Sequence, residues 1–234
     1  MQSMEENNMV NKIERYRKLA KDSKFICMFS GGKDSGLALA EVLGQGQPLA
    51  LIHILDENES LYHKQSLEVI QAQSKAMNIP LILMTYKWWR DWERASKDLA
   101  PFLESGANSI VFGDIRLKYI FLGDIPLCEK NGFTPCLPVG GVAYDDLMSM
   151  IEKHGLVSII TKINHPCISK DLLGKPFTRD VYNYLKELNV DPFGELDEFH
   201  TTLVDADFFV EPLRYHLVPR GENMVSVIID TCTD

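Results

Sequence analysis

Over residues 25–161, short apolar runs alternate with longer stretches of helical spacing. This is the pattern of a parallel sheet buried between helices. The run Phe25-Ile26-Cys27-Met28-Phe29 and those at 48–55, 81–84 and 109–112 predict four strands, with weaker signals at 134–137 and 156–161. Helices are predicted over 36–43, 61–77, 89–103 and 144–154. The second carries Leu67, Ile70, Ala72 and Met77 loosely at helical spacing and stops before Asn78 and Pro80. The fourth places Leu147, Met148 and Ile151 on one face. Beyond Thr161 the alternation ends. Asn164-His165-Pro166 reads as a loop, 178–188 as a helix, and 217–229 as a hairpin turning at 219–223. The expected fold class is therefore α/β. A Rossmann-like parallel sheet flanked by helices occupies residues 1–162, and a small α+β C-terminal appendix occupies residues 163–234.

Composition narrows the function classes. The chain has 234 residues, with 24 Lys and Arg against 33 Asp and Glu, a formal net charge of −9. Such a balance disfavours a broad phosphate-backbone binder but leaves room for a small local cationic site. No apolar run approaches the roughly 20 residues of a membrane span, and residues 1–21 lack the apolar core of a signal peptide. A cytoplasmic protein that meets no membrane is expected. Cys27, Cys128, Cys136, Cys167 and Cys232 form no C-x-x-C pair, so neither a disulfide framework nor a zinc site is signalled.

The most informative residues are Ser30-Gly31-Gly32-Lys33-Asp34-Ser35, which follow the first strand and open a helix. In an α/β sheet this places them at a strand's carboxyl end, where ligands bind. Two glycines let the backbone approach an anion, and the N–H groups of the first helical turn point at it. Ser30 and Ser35 offer hydroxyls and Lys33 a charge. Asp34 either caps the helix or holds Mg²⁺. The loop is neither G-x-x-x-x-G-K-[ST] nor G-x-G-x-x-G.

Residues 30–35 resemble the SGGxDS signature of the PP-loop ATP pyrophosphatases. The resemblance implies a HUP-type sheet that binds ATP with Mg²⁺ and cleaves it between the α- and β-phosphates, with the loop holding the departing pyrophosphate. Further segments resemble the diphthine–ammonia ligase branch. They are Ser60-Leu61-Tyr62-His63 with Gln71-Ala72-Gln73, Val111-Phe112-Gly113-Asp114-Ile115, Thr134-Pro135-Cys136-Leu137-Pro138, and residues 191–201, Asp-Pro-Phe-Gly-Glu-Leu-Asp-Glu-Phe-His-Thr. The chain departs from that branch at Phe193, where Cys is usual, at Asp197, where Gly is usual, and at Pro138, where Trp is usual. The residues after Asp114 also lack the acidic residue often found there.

The resemblance implies an AMP- and pyrophosphate-forming ligase. It adenylates a carboxyl-type oxygen and amidates it with ammonia or a small amine. The acceptor is a small molecule or a protein side chain. ATP-binding residues are then Ser30, Gly31, Gly32, Lys33, Asp34, Ser35, His63, Gly113 and Asp114. Catalytic residues are Lys33, Asp34, Glu195, Glu198 and His200, and Asp34 is the metal ligand. Asp114 reads equally as an N-cap. Glu195 and Glu198 bind an amine, hold Mg²⁺ or act as a base, or form a solvated turn. Asp56 and Asn58 follow the second strand, where ribose is commonly met. Trp88, Trp89 and Trp92 with Lys87 and Arg90 stack on a base, form a homodimer contact or pack helix on sheet. Two other readings stay open, an RNA-modifying PP-loop enzyme and a non-catalytic ATP-binding sensor on the same fold.

Overall fold

The computed structural model describes residues 13–55, 66–85, 91–116, 118 and 120–230. The chain forms two compact units. One comprises Met1–Ser30, Asp34–Ser60 and Ile79–Val142; the other comprises Gly31–Lys33, Leu61–Asn78 and Ala143–Asp234.

The first unit is built on a five-stranded sheet. Its strands are β1 (Ser23–Met28), β2 (Gly46–Ile54), β3 (Leu81–Met84), β4 (Ala107–Val111) and β5 (Thr134–Cys136). Every neighbouring pair is parallel, in the order β3-β2-β1-β4-β5. The expected Rossmann-like sheet is thus present. Helix α1 (Lys33–Val42) follows β1, and α3 (Trp92–Glu104) precedes β4. A π-helical turn over Ile120–Asp124 runs into α4 (Ile125–Asn131). Pro135 can lie in a strand because β5 is an edge and needs no second donor ladder. The centre is dry. Ile26, Ile52, Ala95, Leu99, Ile110 and Phe112 are buried in one cluster, against which Trp92 packs. Of the expected roles of Trp92, core packing is the one observed. Trp88 and Trp89 lie outside the described residues, as do Asp56 and Asn58.

The second unit holds α2 (Leu67–Met77), α5 (Tyr144–Lys153), α6 (Arg179–Glu187), β6 (Val157–Ile163), β7 (Phe199–Asp205), β8 (Tyr215–Pro219) and β9 (Val225–Ile229). Helix α2 is capped as its sequence demands. Ser66 Oγ accepts the Val69 N–H, and Asn78 ends it in the left-handed region at φ 52°. The sixth predicted strand forms, but it pairs antiparallel with β7 rather than joining the parallel sheet. The hairpin β8–β9 forms where the sequence predicts it. Ile160, Ile163, Tyr182, Leu185, Phe193 and Leu203 are all buried in this unit. Among the described residues no helix is long and apolar enough to cross a membrane.

Candidate functional site

A sheet ordered 3-2-1-4-5 reverses direction between β1 and β4, and ligands of such sheets bind outside the strand ends at that point. In the first unit the ends of β1 and β4 bring together Ser30, Asp34, Ser35, Gly113 and Asp114. The chain leaves β1 under control. The Phe29 N–H donates to the Ile52 carbonyl at 2.8 Å, and His53 Nδ1 lies 2.8 Å from the Phe29 oxygen. Burial holds His53 below its ordinary pKa, and Nδ1–H donates, since the carbonyl oxygen can only accept. Sequence reasoning assigned His53 only to a strand. Ser35 Oγ accepts the Ser30 N–H at 3.2 Å and lies 3.0 Å from Ser30 Oγ. The two loop hydroxyls therefore face one another across the turn.

Gly113 is a glycine for lack of space. A Cβ there would stand 2.7 Å from both the Cα and N of Ser35 and 2.9 Å from the Asp34 carbonyl carbon. The end of β4 lies directly on the first turn of α1, and Asp114 is brought beside Asp34. Asp114 is half-buried. Burial, then the Asp34 charge, raises its pKa to about 6. Asp124, which no motif pointed to, is 4% exposed. Burial and then the Asp114 charge push its carboxyl well above the usual range. An Asp two residues before Pro126 reads as a helix cap, yet its side chain makes no capping hydrogen bond. Its Oδ2 is buried with no hydrogen-bond partner among the described residues. Three carboxyls, of Asp34, Asp114 and Asp124, thus oppose one another through successive pairs. Among the described residues no three His, Cys, Asp or Glu side chains form a ready metal cage. The donor set suits a Mg²⁺ that arrives on phosphate oxygens and takes one or two carboxylates, as Mg²⁺ commonly does.

The remaining loop residues pack in the second unit. Gly31 has φ 83°, the left-handed region that glycine enters without strain. Its carbonyl accepts the Leu203 N–H and the Gln73 carboxamide, each at 2.9 Å. Lys33 is 3% exposed. Its N–H donates to Thr201 Oγ1 at 3.1 Å, and its Nζ donates to the Phe193 carbonyl at 2.5 Å. The ammonium sits 5.7, 5.1 and 5.5 Å from the ring centroids of Phe177, Phe193 and Phe199, a cation–π cage. The loop lysine expected to face a phosphate is therefore enclosed by the element over residues 191–201.

That element is a turn leading into β7. Asp191 accepts the Tyr144 hydroxyl at 2.8 Å and the Phe193 N–H at 2.9 Å. Phe193, standing where the branch has Cys, stacks on Tyr144 at 4.9 Å and forms one wall of the cage. At Gly194 a Cβ would meet the Phe199 carbonyl oxygen at 2.9 Å, and φ is 74°. Asp197, where the branch has Gly, also has positive φ, 71°. It offsets that strain by hydrogen bonding. Asn164 Nδ2 donates to its carboxylate at 2.9 Å, and His200 Nε2 lies 2.7 Å from Oδ1. Glu198 is buried and accepts the Leu196 N–H at 2.8 Å, closing its own turn. Glu195 is half-buried in the same turn. His63 lies outside the described residues.

Cys27, Cys128 and Cys136 are buried, and burial pushes all three thiols up, Cys136 to about 12. Thiols held protonated in this way are poor nucleophiles.

Residues 23–134 match the family model of the diphthamide synthase N-terminal domain. No curated protein matches the sequence. Two solved structures are similar to the chain at low identity. A predicted subunit of tRNA methyltransferase from Methanocaldococcus jannaschii is 18% identical over 79% of this chain and 97% of its own, with a TM-score of 0.43. The U34-tRNA thiolase NcsA from Methanococcus maripaludis, with its 4Fe-4S cluster, is 15% identical over 62% of this chain and 63% of its own, with a TM-score of 0.39.

Proposed function

We propose, from the match of residues 23–134 to the family model of the diphthamide synthase N-terminal domain, that the chain is a PP-loop enzyme, an AMP- and pyrophosphate-forming amide ligase. The observation that carries this reading is the meeting of Ser30, Asp34 and Ser35 with Gly113 and Asp114 at the switch point of the sheet. There the β- and γ-phosphates of ATP lie on residues 30–35. An acceptor carboxylate oxygen attacks the α-phosphorus, the bond from that phosphorus to the bridging β-oxygen breaks, and pyrophosphate leaves. Ammonia or a small amine then attacks the acyl carbon, the bond to the AMP oxygen breaks, and the amine gives up a proton.

Fixed donors on the leaving pyrophosphate are the main contribution of the loop, since they act where negative charge develops. Asp34, with Asp114 or Asp124, would hold the Mg²⁺ that travels with ATP, and the ion would neutralise phosphate charge. His200, held by Asp197, and Glu195 supply the base for the amine. Glu198 shapes the turn that presents them. Lys33 ties that turn to the loop through the Phe193 carbonyl.

The acceptor class is testable with ¹⁵N-ammonium. The protein is incubated with ATP, Mg²⁺ and labelled ammonium, together with the protein, RNA or small-molecule fraction of a cell extract. The reading expects ATP-dependent ¹⁵N in the protein or small-molecule fraction. Label confined to RNA would instead establish an RNA-modifying enzyme, and no label with tight ATP binding would establish a nucleotide sensor.

A further inference from the structure

Gln73 has no exposed surface. Its carboxamide nitrogen donates to two backbone carbonyls, of Gly31 at 2.9 Å and of Leu203 at 2.6 Å. The Gly31 oxygen accepts a second bond, from the Leu203 N–H at 2.9 Å. Reversing the amide would set its oxygen against two carbonyl oxygens, so the network dictates which end is nitrogen. The other end, Oε1, is buried with no hydrogen-bond partner among the described residues. A side chain kept only for packing would not carry that cost. Methionine or leucine would fill the space without burying an unpaired Oε1.

The carbonyl so held belongs to the peptide between Gly31 and Gly32. In a trans peptide the C=O and the following N–H point in opposite directions, so pinning the Gly31 oxygen also fixes where the Gly32 N–H points. A Gly-Gly peptide turns over easily, because neither residue has a Cβ to forbid the alternative φ and ψ. Turned over, it would present a carbonyl oxygen where an N–H is wanted and repel an anion. Thr201 secures the next part of the loop by accepting the Lys33 N–H.

We infer that Gln73 is a positioning residue of the phosphate loop, holding the Gly31–Gly32 peptide in the orientation that favours an anion. The inference rests on the reading that residues 30–35 hold the ATP phosphates. Two variants test it, Gln73→Met, which keeps the volume and removes both donors, and Gln73→Glu. ATP affinity is measured by calorimetry. The amide resonance of Gly32 is followed in ¹⁵N-glycine-labelled protein without nucleotide. Gln73→Met is expected to bind ATP about tenfold to a hundredfold more weakly and to shift or split the Gly32 resonance. Gln73→Glu places an ionised acceptor against two carbonyls, and a proton restores one donor. Its affinity relative to wild type is therefore expected to recover as pH falls from 8 to 5.5, which a purely structural loss would not do. Gln73→Met with a Kd within twofold of wild type and an unmoved Gly32 resonance overturns the inference. A wild-type protein that binds no ATP overturns the reading of the loop instead, and the Gly32 resonance then decides alone whether Gln73 sets that peptide.

Discussion

Replacing Gly113 by alanine is expected to cost the protein both stability and nucleotide chemistry. The new Cβ would meet backbone atoms of Ser35 and Asp34 at 2.7–2.9 Å, and no rotamer change can relieve a clash with backbone. Either β4 or the first turn of α1 must move. Overpacking of this kind costs about 1–3 kcal/mol, or roughly 2–10 °C in Tm for a chain of this size. The displaced turn is the one that bears Asp34 and Ser35. A shift of about 1 Å at such a site can lower turnover on the order of a hundredfold. Gly44→Ala separates the two effects. Gly44 has φ 89° and open space around its Cα, so alanine there strains the backbone alone. It should lower Tm modestly and leave ATP turnover unchanged. Comparable activity loss in both variants would show that general destabilisation, not the crowding of the loop, is responsible.

Asp124→Asn is expected to move stability and activity in opposite directions. In the folded protein Asp114 keeps its proton up to about pH 6, and Asp124 is raised as well. Between the ordinary carboxylate range and those raised values the folded state holds more protons than the unfolded state. Stability is therefore fully present at low pH and is lost as pH rises through that window. Removing the buried Asp124 carboxyl relieves both desolvation and repulsion once pH has risen through its raised range. At pH 7.5 Asp124→Asn should melt about 2–8 °C higher than wild type, and the gap should close below about pH 4. ATP turnover should fall about tenfold or more, because a carboxylate placed for a cation on phosphate is gone. Thermal melts across pH 4–8, alongside turnover, check both arms. A variant less stable than wild type at pH 7.5 would show that Asp124 is an ordinary structural acceptor.

The parallel sheet is legible in the sequence because its strands are continuous apolar runs, buried on both faces and separated by helical periods. The loop of residues 30–35, proposed to hold phosphate, is legible because its glycines and hydroxyls are local chemistry. Local periodicity, however, carries no pairing partner. Residues 156–161 read as a strand, which forms over Val157–Ile163, but only the fold shows β7 beside it, antiparallel. Strand β7 itself was hidden behind the polar turn that precedes Phe199. Nothing near Lys33 signals that its ammonium turns into rings of Phe177, Phe193 and Phe199, some 160 residues away along the chain. Asp124 is disguised by its neighbours, since an acidic residue shortly before a helix proline reads as a cap. Two of the departures from the branch become intelligible as geometry. Phe193 supplies a wall of the lysine cage, and Asp197 accepts the left-handed turn that glycine would otherwise take.

ATP is expected to be split between its α- and β-phosphates at residues 30–35. The most direct measurement follows α-labelled ATP with Mg²⁺ and ammonium, with and without the acceptor fraction. The nucleotide products are separated for the wild type and for Asp34→Ala, whose melting is checked in parallel. Labelled AMP with an equal amount of pyrophosphate, absent in a folded Asp34→Ala, is the predicted result. Labelled ADP as the only nucleotide product would contradict it.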